Sequence, residues 1–277
     1  MREPQVVCVG LATLDTILAV PRLPEADGRV LASELVQAGG GPAATAAVTL
    51  ARLGARVHFV GAVGADDAGH TVKAQLQAEG VDVSELAVVM GARSPQSTIL
   101  VHRDARTIVH APGTAGLELS TRARDLCRGA AWVHVDHVGY GVAPRDVRLS
   151  IDGGNPIDGL ELEGVALYAP TERTLAEQFG DAQGALAAGA ALVVVTRGAA
   201  GSVAYTTDGV VADVPSPPVE PVSTLGAGDV FHGALLAKLL EDAPLEDALA
   251  FANTCAALSC RALDGRSAIP TLDEVAA

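Results

Sequence analysis

The chain has 277 residues, 49% hydrophobic and 19% charged, a composition that suits an ordered core and excludes a disordered protein. Its formal net charge is −14 and it has no Lys/Arg cluster to neutralise a phosphate backbone, which argues against a nucleic-acid partner. Cys8, Cys127, Cys255 and Cys260 form no C-x-x-C pair, and no basic region precedes a signal-length apolar run; reduced thiols, no membrane partner and a cytoplasmic location are expected.

Taken in chain order, residues 5–10 (QVVCVG) read as a buried parallel strand ending in glycine. Residues 17–41 alternate strand-like pieces with Pro and Gly breaks, which predicts strands of a small outlying sheet. A helix over 42–54 opens on proline and closes at Gly54; a strand follows at 56–64 and a helix at 66–80. This alternation predicts a parallel sheet with helices on both faces. Residues 97–113 predict a hairpin turning near Asp104-Ala105 that completes the small sheet. Further core strands are expected at 130–141, 147–154, 164–170 and 190–198, with a hairpin at 201–215 across Asp208-Gly209. The last two helices are expected at 227–241 and about 245–261.

Three stretches carry candidate chemistry. VGLATLDTI puts Asp15 after a strand end, and GGGPAATAA (39–47) is a glycine turn entering a helix. TLGAGDVFHGALL (224–236) sets Gly226, Ala227, Gly228 and Asp229 directly before an apolar-periodic helix. Such a helix start presents backbone N–H groups and favours an anion. A carboxylate beside it repels phosphate unless it is there to take a proton. Singly, each stretch reads more readily as a tight turn, a helix cap or a solvated acid. A nicotinamide-binding fold is disfavoured, because the first strand is followed by Gly10 alone rather than G-x-G-x-x-G.

With GGGPAATAAVTLARLGARVHFVGAVGADDAG (39–69), VVVTRGAAGSVAY (193–205) and DGRSAIPTLDEV (264–275), the chain resembles the ribokinase, or phosphofructokinase-B type, family over nearly its whole length. The resemblance implies an α/β fold, a ribokinase-like three-layer sandwich with a mostly parallel central sheet and a small β-sheet lid. One domain would span 1–277, with a discontinuous lid from about 12–40 and 95–111. The implied activity is ATP-dependent phosphorylation of a hydroxymethyl group of a monosaccharide or sugar derivative, with a ketose-type acceptor favoured. A nucleoside kinase, or a relative that binds without efficient turnover, is the alternative.

Asp229 matches the family's base, and the amides of Gly226, Ala227 and Gly228 its anion hole. Asp15, Gly40, Gly41, Thr45, Arg29 and His110 are the implied sugar-side residues, and Asp136 reads equally as a sugar-side residue or a buried turn acid; Thr196, Gly198, Gly201, Asn253 and Gly265 are the nucleotide-side ones. Mg2+ is expected with ATP, held through water by Glu172 and Asp152, although Ala169 replaces the family's asparagine in APTE (169–172). Ser223 stands where relatives carry an aspartate that helps bind a monovalent cation, so weak or no potassium dependence is expected.

The wording is most similar to that of sulfofructose kinases, yet Arg29, His110 and Val138 occupy the positions of their lysine, asparagine and arginine. Between Tyr140 and Ile151 the chain is shorter than relatives, as if a crossover helix were trimmed. A homodimer through the lid is the expected assembly.

Overall fold

Strand β1 (Val6–Val9) is buried along its length, with Val6 and Cys8 facing one core and Val7 and Val9 the other. Only an interior strand covered on both faces accommodates such a run. It lies inside a nine-stranded sheet in the order β13-β12-β11-β10-β9-β8-β1-β4-β5. The computed structural model describes residues 6–102 and 105–276, so Gln5 and part of the turn expected near Asp104-Ala105 lie outside the described residues.

The seven strands β4 (Val57–Gly64), β5 (Asp82–Val89), β1, β8 (Trp132–Val135), β9 (Leu149–Gly153), β10 (Leu167–Pro170) and β11 (Val193–Thr196) run parallel. Antiparallel β12 (Ser202–Thr206) and β13 (Gly209–Val214) finish one edge. Helices α1 (Pro42–Arg52), α2 (Asp67–Ala78), α6 (Ala227–Leu240) and α7 (Leu245–Ser259) cover one face. The other face is covered by α3 (Thr121–Gly129), α4 (Glu172–Phe179) and α5 (Ala182–Ala187). The chain closes on a short helix, α8 (Leu272–Ala276). Among the described residues no helix is long and apolar enough to cross a membrane.

A separate four-stranded sheet, β3-β2-β6-β7, is built from β2 (Thr13–Ala19), β3 (Glu34–Gly40), β6 (Gln96–His102) and β7 (Ala105–Ala111). Its inner side packs Ile17, Ile99 and Val101 against Leu263.

The segments joining β8 to β9 and β9 to β10 contain no helix. Loop residues Tyr140, Ala143, Ile157 and Leu162 fill that face instead. The Tyr140 hydroxyl accepts from the Glu161 amide at 2.7 Å and donates to the Glu161 carbonyl at 3.2 Å, locking the two loops together.

Asp136, at the end of β8, ties this architecture together. Oδ2 accepts from the amides of Leu11 (2.8 Å) and Ala43 (3.2 Å), and Oδ1 from those of Val138 and Gly139 (both 2.9 Å). Helix α1 follows Gly41 with no side-chain cap of its own, so this carboxylate caps it from the loop after β8. A Cβ on Gly10 would overlap the same carboxylate. Of the two readings open for Asp136, the structure takes the buried turn acid over the sugar-side residue, because its acceptors are spent on backbone and it lines neither of the cavities at the start of α6. We predict that Asp136→Ala strands four amides and lowers unfolding free energy by on the order of 3 kcal/mol in urea titration. An unchanged midpoint would refute the assignment.

Candidate active site

The residues just beyond the carboxyl ends of β1, β9, β10 and β11 (Leu11, Gly154, Thr171 and Arg197) open onto one side of the sheet, where α6 begins. Two adjoining cavities lie there, of about 900 and 430 Å3. Arg106, Thr171, Thr196, Thr224 and Gly228 line both. The start of α6 therefore sits where the cavities meet.

Gly226 caps α6 in the left-handed conformation (φ 74°), and no side chain caps the helix. A side chain at Gly226 would be strained and would press on the Gly265 backbone at 2.9 Å. The result is a first turn with no side-chain cap whose residues Gly226, Ala227 and Gly228 line the cavities, a ready site for an anion.

Asp229 lies in this first turn and lines the smaller cavity. Burial, then the charges of Asp152 and Asp136, push its carboxyl up to about 7, against the pull of His232 and Arg266. Asp152 lines the same cavity but has the opposite fate. Burial opposes its charge, yet the charge and hydrogen bond of His232, with Oδ1 3.3 Å from Nε2, hold its carboxyl at about 2. Asp15 is buried and raised, burial outweighing its bonds to Thr13 and Ser97, and its Oδ1 has no protein partner. The site thus holds one carboxylate kept charged, one tuned near neutrality, and one with an open acceptor.

The structure brings together around the smaller cavity Asp15, Gly40, Gly41, Thr45, His110, Gly226, Gly228 and Asp229. Thr196, Gly198, Gly201, Asn253, Glu172 and Ala227 line the larger one. Asn253 also donates to the Val214 carbonyl at 3.0 Å, anchoring α7 to β13. Gly265 lines the smaller cavity, behind Gly226, rather than the larger one where it was expected. Arg29 is exposed on the segment between β2 and β3 and lines neither cavity.

Two residues escaped the sequence reading. Arg266 is buried, its Nε donating to Thr45 Oγ1 at 3.1 Å and a terminal nitrogen to the Gly40 carbonyl at 2.7 Å. Burial pulls it down to about 10, with Asp15 and Asp229 opposing. His232 lies buried one turn beyond Asp229; its spacing from that acid was the available signal.

A family model described as pfkB family carbohydrate kinase matches residues 3–148 and 162–272. An ATP-dependent ribose-1-phosphate kinase of Halopiger xanaduensis is 30% identical, over 99% of this chain and 97% of that one. A fructokinase of Salmonella typhimurium is 31% identical over 91% and 93% respectively. Among solved structures, Arabidopsis thaliana ribokinase complexed with ribose and ATP superposes with a TM-score of 0.83 at 22% identity, covering 99% of this chain and 98% of that one. That likeness establishes a shared fold.

The carboxyl carbon of Asp229, followed by NMR through a pH titration, should show a midpoint near 7. Asp152→Asn removes a like charge and should lower that midpoint. A wild-type midpoint in the ordinary carboxylate range would contradict this account of the site.

Proposed function

Since the chain belongs to the pfkB family of carbohydrate kinases, we propose that it transfers the γ-phosphoryl group of ATP to a hydroxymethyl group of a monosaccharide or sugar derivative. One observation carries this reading: a near-neutral carboxyl, Asp229, stands in the first turn of an uncapped helix where two cavities meet. ATP would occupy the larger cleft, with its base toward Asn253 and its phosphates toward the α6 start. The sugar would occupy the smaller cavity, where Asp15 Oδ1, the bare backbone of Gly40 and Gly41, Thr45 and His110 offer hydroxyl partners.

In the reaction the substrate oxygen bonds to the γ-phosphorus, the bond from that phosphorus to the ADP oxygen breaks, and the hydroxyl proton passes to Asp229. The amides of residues 226–228 would stabilise the equatorial oxygens, so positioning and electrostatics supply most of the rate. A ketose-type acceptor is favoured, and the 31% identical fructokinase supports it.

For magnesium, the fit rests on Glu172, an exposed carboxylate at the start of α4 that faces the larger cleft. That suits a cation keeping most of its water and neutralising ATP oxygens. Asp152, paired with His232, would take part only through water. Ser223 Oγ accepts from the Leu225 amide at 3.2 Å, a neutral group in place of a charged cation ligand, which supports potassium independence.

The small sheet would act as a lid. Asp15, Ser97, Ile99, Ile108 and His110 of its inner side line the smaller cavity, and closure would exclude water. Its outer side supports a homodimer: Leu18 pairs with Leu35 and Leu100 across the strands, and Leu35 and Val109 are each 64% exposed. Sedimentation should therefore show a dimer that Leu35→Glu dissociates; a wild-type monomer refutes it.

ADP release at fixed ATP and magnesium across a sugar panel tests the whole reading. Turnover with a ketose is expected, equal in sodium and potassium, falling about tenfold per pH unit below about 7 as Asp229 becomes protonated. Asp229→Asn should abolish transfer and keep ATP binding. Near-wild-type turnover in that variant would remove Asp229 from the base role.

A further inference from the structure

The two helix-free loops leave the carboxyl ends of β8 and β9, and an acid near each strand end pins the loop that follows. Asp136 Oδ1 accepts from the amides of Val138 and Gly139, which fixes the backbone around His137. Gly139 lies so close to the Val9 carbonyl that a Cβ there would overlap it. Asp152 Oδ1 accepts from the Gly154 amide at 2.7 Å, immediately before Asn155. His137 and Asn155 both line the smaller cavity, and neither lines the larger cleft. Neither side chain makes a hydrogen bond within the described structure, and His137 Nδ1 is enclosed without a protein partner. An enclosed polar atom is costly until a ligand or water satisfies it.

The surrounding walls decide the charge of what fits. Asp15, Asp152 and Asp229 line the same cavity. The buried cations beside it are engaged within the protein, His232 with Asp152 at 3.3 Å and Arg266 with Thr45 and the Gly40 carbonyl. Arg106 stands at the junction with the larger cleft, where it donates to Thr224 Oγ1 at 2.8 Å. The smaller cavity is therefore rich in carboxylate, and His137 and Asn155 add hydrogen-bonding groups with no permanent charge. An anionic substituent there meets like charge, whereas hydroxyls meet unpartnered donors and acceptors.

We propose that His137 and Asn155 are specificity-determining residues: they take hydroxyls of the acceptor remote from the one that reacts, and so select an uncharged polyol over a sugar phosphate. This rests on the kinase reading above. With Asp15 and these two residues holding hydroxyls, the reacting hydroxymethyl group is left to Asp229. The backbone pinned by Asp136 and Asp152 lets both side chains bind without first ordering a loop, which spares affinity.

The test is acceptor kinetics of the full chain at saturating ATP and magnesium, in wild type, His137→Ala, His137→Asn, Asn155→Ala and Asn155→Lys. The acceptors are D-fructose, D-ribose, fructose 6-phosphate and ribose 1-phosphate, each of which keeps a free hydroxymethyl group. Wild type should favour the better neutral sugar over its phosphate by roughly 100-fold in kcat/KM. Each alanine variant should lower kcat/KM for that sugar roughly 5- to 150-fold, mainly through KM. Calorimetric ATP affinity should change by less than about twofold, the scale of a substitution away from the ligand. His137→Asn keeps a polar atom near the Nδ1 position and should recover part of the loss. Asn155→Lys supplies a cation and should raise use of the sugar phosphate about tenfold. Asn155 is an exposed loop residue, so its variants should melt with wild type and carry the test even where His137→Ala unfolds. If wild type favours a sugar phosphate, or the folded alanine variants match it on every acceptor, the inference is wrong and the kinase reading stands. If wild type releases no ADP with any of the four, both fall.

Discussion

Arg266 is sealed from water, and its donors go to Thr45 and to the carbonyl of Gly40, not to a carboxylate. A buried cation without an ion-pair contact is costly. Here the cost is offset by Asp15 and Asp229, whose charges favour its protonated form. With a pKa of about 10 it is still a cation at neutral pH, and it lets two acids face one cavity. The same guanidinium lies so close to Gly39 that a side chain there would overlap it. Residues 39–45 and the tail at 264–266 are therefore fixed by a single group. The glycine run is bare because a Cβ would overlap Arg266 at Gly39, Asp15 at Gly40 and the Leu11 carbonyl at Gly41.

The three carboxylates of that cavity do not share one environment: Asp152 is lowered, while Asp229 and Asp15 are raised. Asp152 is matched to a histidine and stays ionised; its charge then becomes the main electrostatic cause raising Asp229. His232 and Arg266 limit that rise, leaving Asp229 poised near neutrality. A carboxylate of ordinary acidity would be a feeble acceptor for a hydroxyl proton, and one raised much further would already hold a proton at pH 7. Asp15 keeps an acceptor free of protein partners. Local environment has sorted identical groups into a counter-ion, a near-neutral carboxyl and an open acceptor.

Much of this was legible in the residues. The continuous apolar runs at 6–9 and 193–195 announced interior strands because both faces are packed. The glycine–acid motif at 226–229 announced an anion-friendly helix start, since αL glycine and uncapped amides are local properties. Other features are non-local and left little trace. Helix α3 is nine residues long and buries only Ala123 and Cys127, so it offers too few apolar positions to stand out in the sequence. Strand β5 lies at the sheet edge, where its burial alternates unevenly. Asp136 acts across 125 residues on Leu11 and 93 on Ala43, and Arg266 across 226 on Gly40; no local pattern encodes such pairings.

The helix-free connections show how the site divides its labour. Parallel neighbours are ordinarily joined through a helix that shields the sheet. Here two loops do so, clasped through Tyr140 and Glu161, and their starts reach the smaller cavity as His137 and Asn155. The family model matches up to residue 148 and resumes at 162, so Asn155 falls in the unmatched stretch while Gly226, Gly228 and Asp229 fall in the matched one. A loop without helical hydrogen bonding tolerates substitution and length change with little cost to the sheet beneath it. The turn that would steady a phosphoryl group is held by helix geometry and by Gly265, and it has no such freedom. Under the proposed reading the turn at 226–229 belongs to the part shared with the family, while the smaller cavity takes Asp152, Gly154 and Asn155 from the unmatched stretch, where change costs the sheet least.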